Sequence, residues 1–151
     1  MFTIGVFQDV AWAARGIDAL VDDGFAVDSL SIVAKATPEW RALIEARFGG
    51  DVQSLTIARL GETLVRGPLI AALQGPDSGL ERGGVSAAIG RAGFQSHDGY
   101  IYETLVDRGG ILVGVHNVPR AADALAKLHA YGGGNAAIGA WAGRTRAVQF
   151  R

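Results

Sequence analysis

The chain has 151 residues, a length typical of one domain, and 49% of them are hydrophobic against 19% charged, which excludes an intrinsically disordered protein. Its 14 lysines and arginines against 15 aspartates and glutamates give a formal net charge of −1, which argues against nucleic-acid binding and against a polybasic membrane-surface protein. The absence of cysteine excludes disulfides, thiolate metal ligands and cysteine nucleophiles.

The first third of the chain has the pattern of a strand, a helix and a second strand. Residues 4–7 form a short apolar run, and apolar residues at helical spacing follow over 10–21. Asp9 is the expected N-cap, because its carboxylate can accept a free backbone N–H of the first turn. Gly24 is expected to end the helix. A second apolar run at 30–34 predicts the next strand.

The middle third opens with a predicted helix. Thr37 is the expected N-cap, and Pro38 lies in the first turn, where proline is favoured. The apolar face of this helix comprises Trp40, Leu43, Ile44 and Phe48. Residues 52–65 are ambiguous, because their apolar positions fit both the alternation of a strand and the spacing of a helix. Residues 67–73 then predict a short, very apolar helix.

A loop and two short helices complete the middle of the chain. Residues 74–79 combine glycine, proline and polar residues, which predicts a loop. We predict helices over 85–91 and 98–106, the second with Ser96 as its N-cap. These helices are too rich in small residues to stand alone. They must pack on the sheet, on each other or on a second subunit.

The last third repeats the plan of the first. Residues 111–115 are an apolar strand, and Asn117 is the candidate cap before Pro119 in the first helical turn. The predicted apolar face of the following helix comprises Ala121, Ala122, Leu125 and Leu128. The glycines at 132–134 end this helix, and residues 137–142 alternate loosely enough for a final strand.

The two ends of the chain resemble each other. Residues 4–6 match 113–115, and Gly24 matches Gly133 at the same offset of 20 residues. Two β-α-β units of one length predict an α+β fold, a ferredoxin-like split β-α-β sheet with extra short helices inserted in the middle. Small apolar residues carry the match, so chance similarity is the alternative.

We therefore expect a single α+β domain over residues 1–151. Its first β-α-β half covers 1–36, a helical, glycine-rich middle covers 37–108, and the second half covers 109–151. A ferredoxin-like sheet leaves one face uncovered by its own two helices. Either the middle helices or a symmetric partner must cover that face, and C2 dimers are the commonest oligomers, so we predict a homodimer.

The densest polar and aromatic cluster lies in the predicted helix before the last β-α-β half. One interpretation makes Glu103 a general acid or base, with Tyr102 and His116 completing a small ligand-binding pocket. The alternative has Asp98 supporting the helix N-terminus, Glu103 bonding to an arginine and the tyrosines packing. No nucleophile and base occur at a diagnostic spacing, so no catalytic residue is assigned.

Polar pairs follow both apolar strands of the repeat, at 8–9 and at 116–117. If both pairs point outward at one end of the sheet, they line a shared cleft. Helix capping explains Asp9 and Asn117 equally well.

Metal and cofactor sites are not predicted. The three histidines, at 97, 116 and 129, lack the H-x-x-x-H and H-E-x-x-H patterns, and each lies on a different predicted element. The glycine-rich stretch 79–84 precedes a helix, whose free amides could hold an anion. It matches neither the dinucleotide-binding nor the P-loop pattern, so glycines that permit turns and close packing are the alternative.

Several motifs occur in an order that resembles a known family. The Gly-Pro-Leu-rich segment 67–73 leads to Gly93, then to the pair Tyr102 and Glu103, and then to Gly-Gly at 109–110 before a valine-rich strand. This order is similar to that of the bacterial heat-induced stress proteins with a YflT-like domain. The N-terminal strand and the alanine-rich helix after it also resemble the corresponding segments of that family. The resemblance implies a general stress protein of unknown mechanism with no established catalytic residues.

The chain departs from that family at several positions. Gln95 stands where the family has proline, and Gly99 where it usually has alanine. Many relatives carry a longer glycine-zipper segment between the halves, long enough to suggest membrane association. That segment is shortened here to 67–93, so no membrane role is carried over.

Aromatic residues exceed what the core of a small glycine-rich domain needs, and exposed ones would mark a protein contact. They include Trp12, Trp40, Trp141, Phe94, Tyr100 and Tyr131.

We therefore expect a cytoplasmic, non-enzymatic, stress-associated interaction module that acts through protein contacts as a homodimer, without cofactor, metal, nucleic acid or membrane. The alternative is a small-molecule-binding protein or enzyme with a pocket around Tyr102, Glu103 and His116. A membrane-linked role through 67–93 is the third hypothesis.

Overall fold

A computed structural model describes residues 1–116 and 118–134 of the chain. These residues form an α+β fold, a five-stranded antiparallel open sheet with six α-helices. The strands are β1 (Thr3–Phe7), β2 (Leu30–Lys35), β3 (Gln53–Ile57), β4 (Gly61–Arg66) and β5 (Ile111–Val115). The helices are α1 (Val10–Asp22), α2 (Pro38–Phe48), α3 (Pro68–Gln74), α4 (Gly79–Ala88), α5 (Ser96–Asp107) and α6 (Ala121–Ala130).

The strand order is β1-β5-β2-β4-β3, and every neighbouring pair is antiparallel. Because β1 and β2 both pair antiparallel with β5, they run in the same direction with β5 between them. The predicted cap Asn117 and the predicted strand over 137–142 lie outside the described residues. The described part ends at Gly134, which forms an antiparallel bridge with Val6 of β1.

Helices cover both faces of the sheet. One core cluster joins one face to α1, α2 and α6, and the other joins the opposite face to α3, α4 and α5. Alternate residues of β5 supply the two clusters, Leu112 on one side and Ile111 and Val113 on the other. The sequence predicted that either the middle helices or a symmetric partner would cover the second face of the sheet. In the structure the middle helices α3, α4 and α5 cover it.

Local capping follows the sequence. Asp9 Oδ1 accepts the Trp12 backbone N–H at 3.1 Å, and Thr37 Oγ1 accepts that of Trp40 at 3.3 Å. Gly24 follows α1 with φ of +93°. The predicted caps of α1 and α2 and the glycine after α1 are confirmed. No helix within the described ranges is long and apolar enough to cross a bilayer.

The middle of the chain is not wholly helical, which corrects the description of 37–108. The ambiguous segment 52–65 is a hairpin of β3 and β4, turned by Arg59 at φ +70° and Gly61 at φ +79°. Only tertiary packing decides this, because β4 has neighbours on both edges and a helix layer on both faces.

Two further details differ from the sequence interpretation. The N-cap of α5 is Gln95, not Ser96, and it forms a reciprocal capping box with Asp98. On α6 the buried residues are Ala124 and Leu128, whereas Leu125 is 37% exposed. Packing of α6 against α1 and β1 selects this face.

Gly67 connects β4 to α3 in a place that only glycine fits. Its φ is +99°, and a Cβ there would lie 2.6 Å from the Ser31 Cα. Ser31 is fully buried in β2, and its Oγ accepts the Leu69 backbone N–H at 2.9 Å. The turn is therefore pressed directly onto the central part of the sheet.

We expect Gly67→Ala to lower the free energy of unfolding by about 2–4 kcal/mol, because it combines a left-handed backbone with a backbone clash. Gly50→Ala is the control, since a Cβ at Gly50 would meet nothing within 4 Å; its effect should stay within about 0.5 kcal/mol. Urea unfolding measures both. Equal stability of the two variants would contradict the close approach at Gly67.

Candidate functional site

Tyr102 and Glu103 are neighbours on α5 but have different surroundings. Tyr102 is 2% exposed and belongs to the core cluster under α3, α4 and α5. Its ring meets Phe94 edge-on, with centroids 6.0 Å apart at 85°. Glu103 is also buried, but its carboxylate is directed to Arg59 in the β3–β4 turn.

His116, the third predicted residue, is exposed just beyond β5. Its ring stacks on Phe2, with centroids 4.6 Å apart and an interplanar angle of 25°. Its backbone N–H donates to the Ser29 carbonyl at 2.9 Å. His116 thus contacts Phe2 and Ser29, whereas the Glu103 carboxylate contacts Arg59.

The carboxylate of Glu103 is held by three N–H groups. Arg59 Nε donates to Oε2 at 2.7 Å, and Arg59 Nη2 donates to Oε1 at 3.1 Å. The Ser86 backbone N–H also donates to Oε1 at 3.1 Å. The Glu103 side chain is 9% exposed, whereas that of Arg59 is 54% exposed. The sequence offered a bond between Glu103 and an arginine as one alternative, and the structure has this arrangement.

This ion pair spans a break in α4. Gly84 interrupts the helix with φ +82° and ψ 179°. Glu103 accepts the Ser86 N–H at the start of the second segment, while Arg59 Nη2 donates to the Gly83 carbonyl at the end of the first, at 2.5 Å. An anion therefore meets the positive end of one helical dipole and a cation meets the negative end of the other, which stabilises both ends.

Opposing influences act on the pKa of Glu103. Burial, the largest single influence, raises it, but the hydrogen bonds from Arg59 and Ser86 and the charge of Arg59 together lower the pKa below its usual value. The hydrogen bond to Glu103 likewise raises the pKa of Arg59. At neutral pH Glu103 is thus a fixed anion, and its oxygens are engaged by the protein itself.

Within the part of the chain that the structure describes, no group of three or more histidine, aspartate or glutamate side chains is placed to hold a metal ion. The glycine-rich stretch 79–84 belongs to helix α4 up to its break at Gly84. Its glycines serve the close approach of α4 to neighbouring side chains, since a Cβ at Gly84 would lie 2.8 Å from Glu103 Oε1.

A cavity of about 760 Å³ lies at the start of α1 and the end of α6. It is lined by Gln8, Asp9, Trp12, His129, Ala130, Tyr131 and Gly132. Trp12 is 47% exposed, and its ring centroid lies 6.4 Å from that of Tyr131 with the planes at 54°. These polar and aromatic groups make it the candidate ligand-binding site.

Apart from the N-cap role of Asp9, the sequence assigned Gln8 and Asp9 a binding role only as part of a cleft shared with 116–117. The prediction of a shared cleft is wrong. In the antiparallel pair of β1 and β5, Phe7 lies opposite Ile111 and Thr3 opposite Val115, so the two polar pairs are at opposite ends of the sheet. The signal for the observed cavity was Trp12 one turn after the Asp9 cap, but its partner Tyr131 is far along the chain.

Comparisons of the chain with protein-family models, with curated proteins and with solved structures found no match. The resemblance to the heat-induced stress proteins therefore rests on the sequence motifs, and function has to be argued from the geometry.

We expect Glu103→Gln to lower the free energy of unfolding at pH 7 by about 1–3 kcal/mol, because the Arg59 and Ser86 donors lose a charged acceptor. Solvent around the half-exposed Arg59 limits the loss. The exposed carboxylate Asp28 supplies the control, and Asp28→Asn should change stability by less than about 0.5 kcal/mol.

The difference between the wild type and Glu103→Gln should also depend on pH. The folded-state pKa of Glu103 lies below the reference value of 4.5, so its stabilisation is fully present above about pH 4.5 and is lost as the pH falls through the folded-state pKa. Urea unfolding between pH 7 and pH 3 measures this. A difference that is constant with pH would contradict a structural role for the ionised carboxylate.

Proposed function

We propose that this protein is a non-enzymatic, stress-associated interaction module that acts through protein contacts as a homodimer. The association with stress rests on the motifs around Gly93 and the Tyr102–Glu103 pair. The observation that carries the interaction is the outer edge of β3.

The β3 edge has the properties of a pairing surface. The strand contains Gln-Ser-Leu-Thr-Ile, without charge or proline, and Gln53, Ser54 and Thr56 are exposed. No strand within the described ranges pairs with its outer side. Edge strands are usually protected by charges, prolines or cover, because their free N–H and C=O groups can bind another strand. At the other edge of the sheet, Val6 and Gly134 exchange backbone hydrogen bonds of 2.7 and 3.2 Å.

A second copy of the chain is the occupant that fits this edge. An antiparallel pair centred on Leu55 would place Ser54 opposite the partner's Thr56 and Gln53 opposite the partner's Ile57. No like charges face each other in this register, and Leu55 would meet its own copy. Leu55 is half-buried and already packs on the core cluster under α3–α5, so the pair would extend that cluster.

The aromatic residues give weaker support for protein contacts. Trp40 belongs to the core, where its Nε1–H donates to the Gly109 carbonyl at 2.9 Å. Tyr100 and Trp12, by contrast, are 63% and 47% exposed. Trp141 lies outside the described residues. Large exposed aromatic side chains are enriched at protein interfaces.

We also propose that the sheet is of the ferredoxin-like split β-α-β type. Two observations support this: β5 lies between the co-directional β1 and β2, and Gly134 bridges to the outer side of β1, where a ferredoxin-like sheet has its last strand.

Small-molecule binding is the second candidate function, and the cavity beside Trp12 favours it. This site is different from the pocket expected around Tyr102, Glu103 and His116.

We expect the wild type to be a dimer at about 100 µM and Thr56→Lys to shift it to monomer, because a lysine in the edge strand opposes pairing. Ala126→Lys adds the same charge at an exposed position of α6 and should stay dimeric. Light scattering coupled to gel filtration gives the masses. A monomeric wild type would contradict the homodimer, and a dimeric Thr56→Lys would contradict the β3 edge.

The cysteine-free sequence allows a test of the register. Leu55→Cys lies on the two-fold axis of the proposed pair and should form an intersubunit disulfide under mild oxidation. Gln53→Cys is the matched control, because its copy would lie four residues away along the strand, about 14 Å. Equal cross-linking of both variants would exclude this register.

A further inference from the structure

The cavity beside Trp12 is built from two helix ends. Its walls come from the loop before α1, the first turn of α1 and the last turn of α6. Its volume of about 760 Å³ falls within the range common for small-molecule sites. It lies near β1, at the opposite side of the sheet from the β3 edge, so its properties can be tested separately from dimerisation.

The charged groups of the walls favour a cation. Asp9 is an exposed carboxylate, and only its Oδ1 is bound to the Trp12 N–H at the start of α1. From the opposite wall, His129 and Ala130 belong to the last turn of α6, where backbone carbonyls carry the negative end of the helix dipole. The Asp9 carboxylate offsets the positive end of the α1 dipole, and the carbonyls of α6 add negative potential from the opposite wall, so the cavity favours a cation over an anion.

The aromatic walls favour an organic cation over a metal ion. The ring centroids of Trp12 and Tyr131 lie 6.4 Å apart with the ring planes at 54°, so the two rings form adjacent sides of an aromatic box. Aromatic faces attract ammonium and guanidinium groups. The protein itself shows this preference, since the guanidinium carbon of Arg15 lies 5.0 Å from the Trp12 ring centroid.

We propose that this cavity binds a small organic cation, an alkylammonium or quaternary ammonium group. Asp9 neutralises its charge, and the rings of Trp12 and Tyr131 contact its methyl or methylene groups. The guanidinium of Arg15 lies over the Trp12 ring, but Arg15 is exposed and long enough to turn into solvent when a ligand enters. His129 completes the rim.

The first experiment compares two probes of one shape. Choline and 3,3-dimethylbutan-1-ol differ in the charge of the central atom, and NMR titration of the wild type follows the indole N–H signals. We expect choline to shift the Trp12 signal and to bind at least about tenfold more tightly than the neutral alcohol. Equal affinities, or no binding of choline at 50 mM (roughly the weakest affinity expected for such a contact), would overturn the proposal.

Variants then separate charge from packing. Asp9→Asn keeps the N-cap, because asparagine caps as well as aspartate, and should weaken choline binding about tenfold with unchanged thermal stability. Trp12→Leu should abolish binding, because it removes one of the two aromatic faces. Asp28→Asn is the control for charge, because Asp28 is exposed and follows the C-terminal end of α1, whereas Asp9 lies at its N-terminal end. Wild-type affinity in Asp9→Asn would show that the cavity does not select a cation.

Discussion

The ion pair between Arg59 and Glu103 is the contact on which the half of the molecule with α3, α4 and α5 depends. It joins the β3–β4 turn to α5 and fills the break of α4 at Gly84. Without Cβ, Gly84 leaves room for the carboxylate, which then supplies an acceptor to the second helical segment. Glu103, which the sequence offers as a candidate general acid, thus positions a helix. The contacts with Arg59 and Ser86 that do so also lower its pKa.

The cover of both sheet faces moves the functional surfaces to the margins of the fold. Helices α3–α5 on one side and α1, α2 and α6 on the other bury the apolar strands, so neither face needs a partner. Among the surfaces that stay accessible in the described part of the chain are the uncharged edge of β3 and the cavity near the end of β1. The first is suited to backbone pairing with another strand, and the second combines a carboxylate with aromatic rings.

Sequence reasoning succeeded where the interaction is local. The caps Asp9 and Thr37 act three residues away, and strands β2 and β5 are continuous apolar runs because both of their faces are covered. It failed over 52–65, where a strand and a helix fit the same apolar positions. For Glu103 it gave both a pocket and a bond to an arginine and could not choose between them, because the partner Arg59 is 44 residues away and no periodicity connects the two.

The sequence by itself determined the α+β class, the succession of β1, α1 and β2, that of β5 and α6, and the turn at Gly24. Only the tertiary structure decided which polar residues meet. The antiparallel pairing of β1 with β5 separates residues 8–9 from His116, and the packing of α1 on α6 brings Trp12 to Tyr131. The physical reason is range: caps and turns are fixed by neighbours in the chain, whereas register, ion pairs and cavities arise from contacts between distant segments.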